Sequence, residues 1–181
     1  PNTLTDEDVV KYSLNKAQPI SAVSGTINSD TYRKFEAEIE HGGRAYNLKI
    51  DMERESISRE SGVFGRGGLW DVQFSLDGGF SPTGEGSGAS DFVSKVFSTV
   101  MSAIVEFTSD VSPGGLELSP INDSRYKSRI GLYRKLGEVY GGKLGYSART
   151  NPRGTTVLKK KENAVPVDRR VAEQILAGLR G

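Results

Sequence analysis

A glycine-rich stretch at residues 84–89 comes directly before the strongest helical pattern in the chain. Successive main-chain N–H groups and the positive end of a helix bind phosphate, and glycine lets such a ligand approach closely. The stretch therefore indicates a phosphate-binding loop. A flexible surface loop is the alternative, since Pro82 and Thr83 add further loop-forming residues. The candidate binding residues are Gly84, Gly86, Ser87, Gly88 and Ala89.

Basic residues are concentrated between Arg125 and Lys161. This segment holds eleven basic residues and one acid, Glu138, for a net charge of +10, whereas the rest of the chain carries −9. Such a segment attracts phosphates, nucleic acid or an acidic protein partner. The alternative is a solvated basic face that the acidic remainder balances in three dimensions. The candidate nucleic-acid or anion-binding residues are Arg125, Lys127, Arg129, Arg134, Lys135, Lys159, Lys160 and Lys161.

The composition excludes several kinds of site. The 181 residues include no cysteine, which excludes disulfides, zinc–thiolate sites, iron–sulfur clusters and thiol nucleophiles. The single histidine, His41, excludes a metal site with two histidines, and its His-Gly-Gly context predicts an exposed turn. The chain lacks the run of about 18 apolar residues that a membrane span needs, so no membrane partner is expected. A basic-then-apolar secretory signal is also not visible.

Alternation of apolar and polar residues predicts the strands that would position these groups. Three alternating segments lie at Tyr32–Glu40, Tyr46–Asp51 and Trp70–Leu76, and the first two flank a Gly-Gly turn typical of a hairpin. A short strand is expected at Leu116–Ser119, and one or two more within Tyr146–Lys160. The segments 21–30 and 53–68 are expected to be loops.

Helical periodicity is clearest at residues 90–108, where apolar residues recur every three or four positions. A second helix is predicted from Asp123 or Ser124 to Gly141-Gly142, and a third after Pro166. A short helix after Thr5 is also expected. Three strands followed by helix–strand–helix–strand predict an α+β (mixed α/β) domain, an antiparallel meander continued as a mixed sheet. We assign residues 31–161 to this domain, 1–30 to an N-terminal extension or linker and 162–181 to a helical tail.

Two segments, in this order, resemble the GNAT superfamily of acyl-CoA-dependent N-acetyltransferases. The first joins the Trp70–Phe74 strand, the glycine-rich loop and the following helix. The second joins the segment 116–122 to the sequence Leu-Tyr-Arg-Lys-Leu-Gly at 132–137. The resemblance covers roughly residues 32–158. Pro82 stands where the family loop normally has Arg or Gln, and the spacing from Asn122 to Tyr133 is long for the family.

The resemblance implies an enzyme that uses acetyl-CoA or another acyl-CoA. The cofactor would lie along the strand at Val72 and Phe74, with its pyrophosphate at the glycine-rich loop and a further contact at Asn122. Tyr133 would be the general acid that protonates the departing thiolate, although its helical spacing also suits a packing residue. A general base must lie within hydrogen-bond reach of the amine, directly or through water. The candidates are Glu38 and Asp71, which lie on predicted strands at outward-facing positions.

A second, looser resemblance is to uncharacterised proteins and domains of tailed bacteriophages, some of them parts of large polyvalent virion proteins. It rests on the Trp70 strand, the helix beginning at Phe92 and the Leu-Tyr-Arg-Lys-Leu-Gly segment. It implies a non-catalytic module that binds nucleic acid, a virion protein or a host protein through the basic segment. The corresponding location would be the host cytoplasm or the phage particle.

Overall fold

The computed structural model describes residues 14–23, 30–55, 64–76, 89–118, 137–152, 155–162 and 169–181. Within these residues the chain forms seven strands and three helical segments. The strands are β1 (Ile20–Ala22), β2 (Tyr32–His41), β3 (Arg44–Arg54), β4 (Leu69–Leu76), β5 (Gly115–Leu118), β6 (Tyr146–Thr150) and β7 (Thr156–Lys160). The helices are α1 (Ala89–Val111), α2 (residues 137–144) and α3 (Arg169–Arg180).

The seven strands form one mixed sheet in the order β1-β2-β3-β4-β5-β7-β6. Strands β4 and β5 are parallel, and the other neighbouring pairs are antiparallel. Parallel neighbours need a long crossover connection, and α1 lies in the connection between β4 and β5. This architecture confirms the predicted mixed α+β class.

One face of the sheet is apolar and lies under α1; we call it the helix-covered face. Strand alternation places every second residue of β2, β3, β4 and β5 on it. Aromatic contacts join the two layers, with ring centroids 4.8 Å apart for Trp70 and Phe107 and 5.6 Å apart for Phe74 and Phe97. Its most deeply buried strand residues include Ile39, Leu48, Ile50, Met52, Trp70 and Leu116. Trp70 of β4 is therefore a core residue.

The opposite face of the sheet is charged, and we call it the polar face. It receives the alternate residues of the same strands, as the register between them requires. Its acidic members are Glu36, Glu38, Glu40, Asp51, Glu53, Asp71 and Glu117. The sheet therefore separates an apolar core from a row of ionisable side chains.

Helix α1 is also covered on the side that faces away from the sheet. The main-chain N–H groups of Ala17 and Gln18 donate to Leu179 O at 2.8 Å and to Thr99 Oγ1 at 2.9 Å. The apolar face of α3 packs on α1 through its buried residues, Ala172, Ile175, Leu176 and Leu179. Residues near both ends of the described chain thus belong to the same hydrophobic core as the sheet.

The β2–β3 hairpin turns through Gly42 and Gly43, as the sequence predicted. Their φ angles are +60° and +75°, which suits the two-residue turn whose backbone twist matches that of paired strands. Glycine enters this left-handed region without a steric cost. The turn fixes the register of the hairpin, in which His41 lies opposite Arg44.

Two expectations for the elements were wrong. Residues 20–22 form β1, opposite Phe35–Ala37, where we expected a loop from residue 21. A three-residue strand is too short for its alternation to be recognised. Helix α2 passes through Gly141 and Gly142 and ends before Gly145, whose φ is +85°. The helix predicted after Thr5 and the predicted start of the second helix, at Asp123 or Ser124, lie outside the described residues.

Gly114 precedes β5 at a close approach of two chain segments, and Gly114→Ala should destabilise the fold. A Cβ at this position would lie 1.7 Å from the carbonyl oxygen of Phe64. We expect the free energy of unfolding in urea to fall by about 1–3 kcal/mol or more, the usual cost of overpacking.

Gly142→Ala is the matched control, because nothing lies within 4 Å of a Cβ placed there. Since Gly142 is helical, this variant should be neutral or more stable by up to about 1 kcal/mol. Wild-type stability of Gly114→Ala would contradict the close approach.

Candidate functional site

The parallel pairing of β4 with β5 is described for the first half of β4. Their register runs from Leu69 opposite Gly115 to Val72 opposite Leu118, and β4 continues for four more residues to Leu76. At the other end the strands are held together, because the N–H groups of Gly114 and Gly115 both donate to Gly68 O at 3.0 Å. The junction is therefore closed at the amino ends of the strands, and Leu118 is the last described residue of β5.

The main chain of β4 determines which residues face this junction. The N–H of Glu55 donates to Leu69 O at 2.8 Å, so Leu69 directs its main-chain groups toward β3. Hydrogen-bonding direction alternates along an antiparallel strand. Val72, Phe74 and Leu76 therefore direct their main-chain groups toward the β5 side.

Two of the predicted cofactor-binding residues, Val72 and Phe74, lie on β4 at this junction. Val72 and Phe74 are only 4% and 6% exposed, main chain included, and belong to the core. Their side chains are therefore packed in the core and do not face a ligand in the junction. Val72 lies at the last described pair of the two strands, and Phe74 lies two residues further along β4.

Asp71 lies on the polar face at the same junction. It stands opposite Glu53 of β3 and beside Glu117 of β5. Gln73 Nε2 donates to Asp71 Oδ2 at 2.7 Å. Burial raises the pKa of Asp71 above its usual range, the bond from Gln73 opposes this shift, and the charges of Glu55 and Glu53 raise the pKa further. A carboxylate whose pKa is shifted toward neutral pH is better suited to accept a proton.

Glu38, the other predicted general base, lies far from Asp71. It is exposed and stands opposite Asn47 of β3, whereas Asp71 stands opposite Glu53. Six residues along a strand span roughly 20 Å. The structure therefore does not bring the two carboxylates together, and only Asp71 lies at the parallel junction.

The raised pKa of Asp71 predicts how Asp71→Asn should change stability with pH. A carboxyl whose pKa is higher in the folded state favours folding while it is protonated. This contribution is lost as the pH rises through the folded-state pKa. Asp71→Asn should therefore be more stable than the wild type at pH 7, and the difference should disappear near pH 3. Urea unfolding at the two pH values measures this; an equal difference at both would contradict it.

Most of the remaining predicted site residues lie outside the described residues. They are Gly84, Gly86, Ser87, Gly88, Asn122 and Tyr133 of the predicted catalytic site, and Arg125, Lys127, Arg129, Arg134 and Lys135 of the basic segment. Ala89 is the first residue of α1. The first turn of that helix also carries Asp91, which pairs with Lys16 and Lys95. The bond from Lys16 is the main cause that lowers the pKa of Asp91.

The described lysines of the basic segment do not share one face of the sheet. Lys159 lies opposite Ser147 on the polar face, which also carries Arg149. Lys160 lies opposite Tyr146 on the other face, as strand alternation requires. Lys161 follows the strand, and its main-chain N–H donates to Gly145 O at 2.9 Å. Lys159 and Lys160 therefore lie on opposite faces of the sheet, and the run of three lysines does not form one basic surface.

His41 is more enclosed than the sequence suggested. We expected an exposed turn histidine, but its side chain is 26% exposed and its ring lies 5.0 Å from that of Phe92. Its Nδ1 lies 3.7 Å from Asp91 Oδ2. Both partners belong to α1, about fifty residues further along the chain, so sequence spacing alone did not reveal this contact.

Two further features are not found among the described residues: a group of metal ligands and a membrane-spanning helix. Among these residues, no group of three or more His, Asp or Glu side chains is placed to hold a metal ion. None of the helices in the described ranges is long and apolar enough to cross a membrane. Comparison with protein-family models, with curated proteins and with solved structures found no match to this chain.

Proposed function

We propose that this protein binds an acyl-CoA at the β4–β5 junction and transfers the acyl group to an amine. One observation carries the proposal: β4 and β5 are the one parallel pair among the described strands, α1 lies in the connection between them, and Asp71 lies beside the pair on the polar face. In the GNAT superfamily, which the sequence resembles, the pantetheine enters between two splayed parallel strands. The position of the glycine-rich sequence 84–89 between β4 and the body of α1 further supports the proposal.

The proposed chemistry assigns proton transfer to Asp71. Its carboxylate accepts a proton from the amine, directly or through one water, as the nitrogen attacks the thioester carbonyl carbon. The new C–N bond forms, the C–S bond breaks, and the thiolate takes a proton from Tyr133, as the family resemblance implies. Glu53 and Glu117 flank Asp71, and their charges attract the ammonium form of the substrate, which loses one proton to solvent before the neutral amine attacks.

Isothermal titration with acetyl-CoA and with CoA tests whether the ligand binds. We expect saturable binding of both compounds at micromolar concentrations. An absence of heat at high micromolar ligand would remove the proposal and leave a non-catalytic binding module.

The alternative, nucleic-acid binding through the basic segment, has less support among the described residues. Strand alternation separates Lys159 from Lys160, so this part of the segment does not form one continuous basic face. Binding through phosphate contacts would weaken steeply with added salt. Salt-dependent DNA or RNA binding, together with no binding of acetyl-CoA, would favour the alternative.

A further inference from the structure

A pocket of about 320 Å³ lies between the β2–β3 turn and α1, away from the proposed acyl-CoA site. This volume is at the lower end of the range for small-molecule sites. The residues that line it and matter for recognition are Glu40, His41, Gly42, Gly43, Arg44 and Lys95. The hairpin turn and one helix thus enclose a small space with several hydrogen-bond donors.

Lys95 is held in position at the edge of this pocket. Its Nζ donates to the main-chain oxygen of Glu40 at 2.8 Å and lies 3.4 Å from Asp91 Oδ2. An ammonium group has three N–H donors, so these two partners leave one donor for a ligand. The side chain is 24% exposed, which keeps that donor within reach of solvent.

Arg44, the first residue of β3, also lines the pocket. Its guanidinium carbon is 4.7 Å from the centre of the Tyr46 ring. Stacking on a ring occupies the flat face of the guanidinium and leaves its N–H edges for an acceptor. Such an edge can donate two parallel hydrogen bonds to a phosphate.

The charges around the pocket favour an anion. Lys95 and Arg44 line the pocket, and Asp91, the acid that pairs with Lys95, is also paired with Lys16. Strand alternation places the Glu40 side chain on the polar face, opposite to that of His41. Positive charge therefore exceeds negative charge on the side of the hairpin that faces α1.

We propose that this pocket binds the phosphate group of a small molecule, with Lys95 and Arg44 as the charged donors. A phosphate carries more charge than a carboxylate and accepts hydrogen bonds on several oxygens. It can therefore bind two cations from different elements, here Lys95 of α1 and Arg44 of β3. Gly42 and Gly43 carry no side chain that would fill the entrance. The phosphate belongs either to CoA, as its 3′-phosphate, or to a separate phosphorylated compound.

Titration with inorganic phosphate, followed by the amide NMR signals of Gly42 and Gly43, tests the pocket directly. We expect saturable shifts at these two glycines. Arg44→Gln should weaken the binding about tenfold or more, the usual effect of losing a charged hydrogen bond. Because Arg44 is exposed, this variant should fold normally, whereas Lys95→Gln also loses two contacts within the protein.

The matched controls are Arg149→Gln and Lys159→Gln, on strands at the other end of the sheet. They should leave the dissociation constant for phosphate within twofold, a ratio that corresponds to about 0.4 kcal/mol. The absence of saturable shifts at Gly42 and Gly43 would overturn the proposal. So would an equal loss of binding in the controls and in Arg44→Gln.

Comparison of CoA with dephospho-CoA identifies the source of the phosphate. If Arg44→Gln weakens the binding of CoA alone, the pocket holds the 3′-phosphate of CoA. If Arg44→Gln changes the binding of neither CoA nor dephospho-CoA but weakens the binding of inorganic phosphate, the pocket binds a separate phosphorylated compound. If the wild type binds no CoA, the acyl-CoA proposal fails. The titration with inorganic phosphate then still tests whether the pocket binds a phosphate group.

Discussion

Asp71→Asn is expected to lower the turnover of acyl transfer by about 10²–10⁴-fold, the usual contribution of a positioned general base. Asparagine has nearly the same shape and can still accept the hydrogen bond from Gln73 Nε2, but it cannot take the proton from the amine. The fold should therefore be preserved. The measurement is the steady-state rate of acyl transfer from acetyl-CoA to a simple amine.

Glu38→Gln distinguishes the two predicted bases. Glu38 is exposed and roughly 20 Å from Asp71 along the sheet, so its loss should change the turnover by less than twofold. Both variants should bind acetyl-CoA as the wild type does, because neither change alters the main chain of β4. Equal rates for Asp71→Asn and the wild type would exclude Asp71 as the base, and a large loss in Glu38→Gln would favour the other carboxylate.

Trp70→Ala is expected to lower the free energy of unfolding by about 3–5 kcal/mol, the usual cost of removing a large buried aromatic side chain. Trp70 is 1% exposed, its ring contacts that of Phe107, and its Nε1 donates to Gly67 O at 2.9 Å. A domain of this kind has a total stability of about 5–15 kcal/mol. The variant should therefore be close to unfolding at moderate denaturant concentrations.

Two further variants show what Trp70 contributes. Trp70→Phe should recover part of the loss, because it keeps an aromatic ring beside Phe107 but not the hydrogen bond to Gly67. Val171→Ala removes an apolar side chain that is 37% exposed, and it should change the stability by no more than about 0.5 kcal/mol. Urea unfolding measures all three; a loss below about 1 kcal/mol for Trp70→Ala would contradict the packing described here.

The main elements of the fold could be predicted because their hydrophobic patterns are long. Strands β2, β3 and β4 alternate over six or more residues, and α1 has apolar residues at helical spacing throughout. Strand β1 has only three residues, so its existence depends on pairing with β2. Gly141 continues a helix where a stop was expected, because a small residue fits against Leu158 of β7.

The candidate site could be predicted only in part. The sequence placed Asp71 on an outward-facing strand position, but its partial burial and raised pKa depend on neighbouring strands that the sequence does not align. The pocket beside His41 was not predicted, because it forms where α1 meets a hairpin turn distant in sequence. Contacts of this kind follow from tertiary packing, which local patterns do not specify.

Amide NMR shifts during titration with acetyl-CoA test the central claim most directly. If the ligand binds at the β4–β5 junction, the largest saturable shifts should fall on residues 73–76, in the second half of β4, and on Leu118 of β5. Smaller shifts at Gly42 and Gly43 are compatible with this site. Saturable binding that shifts the β6–β7 residues, while the signals of 73–76 and Leu118 stay unchanged, would contradict an acyl-CoA site at this junction.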